Sequence, residues 1–95
     1  MEMKLKRAKT GVYLSEAGKV YRLLSVDRAY SQKKAPVYYL QEINKNKASY
    51  ISGVFKTKQK GVYSFDLKDE IGVKVYYKLI VSDAGDTIEI QKGKA

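Results

Sequence analysis

Apolar and polar residues alternate with a period of two along most of the chain. The alternation is cleanest between Val73 and Ser82. There Val73, Val75, Tyr77, Leu79 and Val81 fall on one side, and Lys74, Tyr76, Lys78 and Ile80 on the other. Successive side chains of a strand point to opposite faces, so the first set predicts a core face and the second an outer one. The same reading predicts strands near 3–8, 11–14, 19–26, 37–43, 48–57, 61–67, 73–82 and 87–91. Val, Ile and Tyr, which suit the pleat, enrich them. In YISGVFKTKQK (50–60), Ile51, Gly53, Phe55 and Thr57 are expected inside. Tyr50, Ser52, Val54, Lys56 and Lys58 are expected outside. Tyr63, Phe65, Leu67, Ile88 and Ile90 complete the expected core, with Ser64, Asp66, Thr87, Glu89 and Gln91 outward. In 19–26 two sets compete for the inside: Val20, Leu24 and Val26 against Tyr21 and Leu23.

The breaks carry turn chemistry. They are Glu16-Ala17-Gly18, Asn44 to Lys47, Gln59-Lys60-Gly61, Lys68 to Gly72 and Ser82 to Asp86. Asn tolerates positive φ, which makes 44–47 a hairpin turn. No segment sustains a helical period over three turns. Many short strands in one small chain predict an all-β barrel, because closing the sheet removes its edges. The expected fold is one domain over 1–95. It is a small OB-like barrel (SH3-like as the alternative) with extra terminal strands and a basic, loosely held segment over 1–10.

Charge narrows the partner. Nineteen Lys+Arg against ten Asp+Glu give a formal charge of +9 on 95 residues, and only three of the cations are Arg (Arg7, Arg22 and Arg28). Such an excess gathers anions, and Lys suits loosely oriented phosphate contact better than bidentate base reading. Nine Tyr against two Phe and no Trp also matter. A ring meant only for burial is better served by Phe, so Tyr suggests half-exposed stacking surfaces, although Tyr is also a good strand former. The expected outer faces of 48–57 and 73–82 set Tyr50 and Tyr76 among Lys56, Lys58, Lys74 and Lys78. The outer faces of 61–67 and 87–91 are polar without being basic. That localised mixture suits single-stranded nucleic acid, with phosphates along the Lys row and unpaired bases on Tyr. The competing account is that Lys guards edge strands while the rings pack on aliphatic stems.

Other chemistry is thin. The absence of His and Cys removes the commonest general base, the thiol nucleophile and the ordinary zinc sites. Asp66, Asp69 and Glu70 read as turn chemistry, and Ser82 to Asp86 lacks calcium-loop spacing. No enzyme, cofactor or metal is expected. No apolar run approaches the roughly 18 residues of a membrane span, and the N-terminus has no apolar signal core. No membrane partner is therefore expected, and the expected location is the cytoplasm of a cell or an infected host.

The longest connection, Asp27 to Pro36, is basic through Arg28, Lys33 and Lys34 and ends on the only Pro. A loop of this length in a small β domain is a functional candidate. Ser31-Gln32-Lys33-Lys34-Ala35-Pro36-Val37-Tyr38-Tyr39-Leu40-Gln41-Glu42 resembles the basic hairpin of filamentous-phage single-stranded-DNA-binding proteins. Gly61-Val62-Tyr63-Ser64 and the strands after it resemble their second half. The resemblance implies an OB-like protein of phage or mobile-element type that dimerises and coats single strands. Lys33, Lys34 and Tyr38 or Tyr39 would be its phosphate and stacking contacts. The expected partner is thus single-stranded nucleic acid, with a homodimer compatible. The alternative is a protein-interaction module, such as a phage inhibitor or assembly component, docking a basic face on an acidic protein.

Overall fold

The computed structural model describes residues 1–26 and 35–93. Each predicted strand is present: β1 (Met3–Lys9), β2 (Val12–Ser15), β3 (Val20–Ser25), β4 (Tyr38–Asn44), β5 (Lys47–Lys56), β6 (Val62–Lys68), β7 (Lys74–Val81) and β8 (Thr87–Lys92). They form a closed all-β barrel in sequence order, every neighbour antiparallel, with β8 returning to β1. The extra terminal strands are what closes it. The expected loose N-terminal segment is instead a barrel strand. Leu5 is 1% exposed, and Met3 to Lys6 pair with Ile90 to Thr87. The Met1 ammonium donates to Tyr77 Oη at 3.3 Å.

The inside is filled by side chains. Leu5, Leu40, Val54, Leu79, Ile88 and Ile90 are enclosed, with Tyr13, Tyr21, Phe65 and Tyr77 around them. Phe65 and Tyr77 stack at 5.3 Å between ring centres. In β3 the competition resolves in favour of Tyr21 and Leu23, because Tyr21 pairs with Glu42 and Leu23 with the core residue Leu40.

Five of the Tyr (13, 21, 38, 63 and 77) lie inside, contrary to the expectation of mostly half-exposed rings. A short barrel explains this: the rings fill the middle while the hydroxyls reach partners near the two ends. Tyr13 donates to the Gly85 carbonyl at 3.4 Å, and Tyr21 donates to Glu42 at 3.4 Å.

Strand β5 departs most from simple alternation. Leu40 pairs with Ser52 and Gln41 with Tyr50, so Ile51 is an extra residue. This bulge inverts the period downstream. Val54, expected outside, is 0% exposed; Phe55, expected inside, is 37% exposed on the outer surface. Strand β5 also changes neighbour along its length. Residues 47–54, Ile51 excepted, pair with β4, whereas Phe55 and Lys56 pair with β6. A bulge adds twist and bend where the sheet must turn to close.

Turns fall where the sequence places them. Asn44 pairs with Lys47 across a two-residue turn, but the positive φ (57°) is at Lys45, not at an Asn. Asp69 Oδ1 accepts from the Ile71 and Val73 amides and caps the β6–β7 turn. Val73, expected on the core face, is 53% exposed in that turn.

Candidate nucleic-acid interface

The register divides the outside of the barrel into two unlike halves. On β6, β7, β8 and β1 the outward rows read Lys68–Lys74, Asp66–Tyr76, Ser64–Lys78–Gln91, Val62–Ile80–Glu89–Lys4 and Thr87–Lys6. On β2 to β5 they read Leu14–Val20–Ile43–Ala48, Val12–Arg22–Gln41–Tyr50 and Leu24–Tyr39–Gly53. The first half is charged and mostly basic. In the second half, Arg22 is the only charged residue of these rows.

Within the charged half, the turn after β5 folds over β6 and β7 and makes a groove of ≈ 310 Å³. Thr57, Lys58, Gln59, Ser64, Tyr76 and Lys78 contribute to it. The turn is pinned by Thr57 Oγ1, which donates to the Val62 carbonyl at 2.6 Å and accepts from the Gln59 amide at 3.2 Å. Gly61, at φ 77°, lets the Val81 amide reach its carbonyl at 2.8 Å. Three residues singled out in the sequence therefore meet here: Lys58 and Lys78, both exposed, and Tyr76, 39% exposed. Phe55 stands next to the groove, since it pairs with Ser64 and Ser64 pairs with Lys78. Alternation hid Phe55; a bulge before Gly53 was the only route to it.

The other candidates are distributed elsewhere. Lys74 shares the outer face of β7 with Tyr76 but sits opposite Lys68, toward the other end of the barrel. Lys56 pairs with Tyr63, an inward residue, so it is on the inner parity at the rim. Tyr38 is inside, edge-on to Tyr63 at 5.4 Å. Burial, then a hydrogen bond with Tyr38, raises the Tyr63 phenol above its ordinary 10.0. Tyr39 (39% exposed) and Tyr50 (64%) meet edge-to-face at 5.8 Å on the half whose rows carry only Arg22 as a charge. A Cβ at Gly53 would be 3.6 Å from Tyr50 Oη and 3.0 Å from Pro36 Cβ, so Tyr50 and Pro36 cover that glycine. This cover is a structural use for Tyr50, of the kind that shields strand glycines. Arg28, Lys33 and Lys34 lie outside the described residues.

No family model, curated protein or solved structure matches the chain.

Proposed function

We propose that the protein binds single-stranded nucleic acid, without catalysis, in the groove between the β5–β6 turn and β7. The observation that carries this is the convergence of Tyr76 with Lys58 and Lys78 on one concave surface. A ring flanked by ammonium groups offers a base its face and the adjoining phosphates their counter-charge. A duplex hides the faces of its bases and leaves such a ring unused. The likeness of 31–42 and 61–64 to phage single-strand binders agrees with this reading, and Ser64 of the second segment lines the groove.

Fluorescence titration with labelled dT oligomers and duplex at two salt concentrations tests it. The single strand should bind more tightly, with a log–log salt slope of about −2 to −3.5 for about three to five phosphates neutralised. Tyr76→Ala should cost roughly 1–3 kcal/mol of binding. Equal duplex affinity or a flat salt response overturns the proposal.

A second reading, a protein interface, draws on the other half of the barrel. Leu14, Leu24, Tyr39 and Tyr50 are all exposed there, and among the described residues of the outward β2 to β5 rows Arg22 is the only charged one. That surface suits an apolar partner or a second copy of the chain better than an acidic protein. Sedimentation across a concentration series tests it. A Leu24→Lys variant that associates like the parent would remove it.

A further inference from the structure

We infer that the groove takes its single strand splayed, with one base on Tyr76, a neighbouring base on Phe55 and a phosphate between them on Lys78. This rests on the reading above and adds a second stacking platform and a preference among bases. Phe55, Ser64 and Lys78 form one outward row across β5, β6 and β7, and Tyr76 is two residues from Lys78 on β7. Two strand spacings across and two residues along place the Phe55 and Tyr76 Cα atoms about 12 Å apart. Bases stacked on one another are about 3.4 Å apart, so they cannot occupy both rings. A strand using both platforms must part its bases. The connecting backbone then passes over Ser64 and Lys78, where a hydroxyl and an ammonium group await a phosphate. Asp66, the cross-strand partner of Tyr76 on β6, stands beside this path and turns the phosphate toward the Ser64–Lys78 row. Lys58, three residues after Phe55, lines the groove with Ser64, Tyr76 and Lys78 and adds a second ammonium group there.

Parting the bases costs least where self-stacking is weakest, which selects pyrimidine tracts over adenine tracts. The test compares dT and dA octamers on the parent, Phe55→Ala, Phe55→Tyr and Tyr76→Ala, with melting curves confirming that each variant is folded. The parent should prefer dT by roughly three- to tenfold. Phe55→Ala and Tyr76→Ala should each weaken dT binding by about five- to 150-fold, while Phe55→Tyr keeps it. Loss with Tyr76→Ala but not with Phe55→Ala, or equal affinity for dT and dA, overturns the splayed arrangement and leaves the simpler single-strand reading standing. Unchanged affinity in both alanine variants overturns the two together.

Discussion

Val54 lies wholly inside the barrel opposite Tyr38, and Phe55, the next residue, stands outside it opposite Ser64. The extra residue at Ile51 produces this arrangement, and it reverses the energetics that strict alternation predicts. Val54→Ala should destabilise the fold by about 2 kcal/mol through lost burial and an unfilled space at the barrel centre. Phe55→Ser should cost less than about 1 kcal/mol, although it removes the larger side chain. Denaturant melts of the two variants check this; a more damaging Phe55 change would restore the simple alternation.

Glycines of similar φ should tolerate alanine unequally. Gly61 has φ 77° and Gly18 has φ 81°. At Gly61 a Cβ would sit 3.1 Å from the Val81 carbonyl oxygen, whereas at Gly18 it would meet nothing within 4 Å. Gly18→Ala should lose only the backbone strain, about 1 kcal/mol. Gly61→Ala should lose more, because relief would stretch the 2.8 Å bond from the Val81 amide to Gly61. Thermal melts of the pair decide it, and equal losses would mean that the close approach is relaxed at no cost.

The legible part of this fold was whatever depends on period and turn chemistry. Eight strands and their breaks follow from alternation punctuated by Gly, Asn and Asp, and sequential antiparallel pairing then closes the barrel. What alternation could not carry was a change of phase. Ile51 is apolar and could be read equally well as paired or extra, so Val54 and Phe55 exchanged faces unseen. Tyr gave no reliable sign of exposure, because a ring whose hydroxyl reaches a barrel end is satisfied inside, as Tyr21 is by Glu42. Tyr38 and Tyr39 are adjacent and chemically identical, and only the register puts one inside and the other out. The site was partly legible: Tyr76 and Lys78 follow from β7 alone, but bringing Lys58 to them required the geometry of the turn.

The buried phenols predict alkaline sensitivity. Burial is the first cause raising Tyr13, Tyr21 and Tyr63 above the ordinary 10.0, and at Tyr21 the Glu42 carboxylate adds to it. Above pH 10 the unfolded chain releases these protons while the folded chain still holds them. Stability is therefore fully present below the unfolded value and falls as pH rises through the folded ones. Tyr21→Phe removes one such proton, so its stability should decline less steeply from about pH 10 upward than the parent's. Equal slopes in urea melts over that range would contradict the assignment at Tyr21.

Lys56 and Lys58 look equivalent in the sequence, yet the barrel separates them. Lys56 is opposite Tyr63 on the inner parity at the rim, and Lys58 lines the groove with Tyr76 and Lys78. Only an ammonium group that neutralises a bound phosphate releases a counterion from a single strand. Lys58→Ala and Lys78→Ala should each reduce the magnitude of the salt slope by about 0.7, one phosphate's share. Lys56→Ala should leave the slope near the parent's. So should Lys19→Ala, at the turn before β3, where the side chain lies 3.9 Å from Glu42. All four are exposed, so folding should change by less than about 0.5 kcal/mol. Binding isotherms at several salt concentrations read the slopes directly. Four equal slope changes would mean that the strand senses only net charge, with no groove directing it. A loss confined to Lys58 and Lys78 would tie the phosphates to the surface around Tyr76.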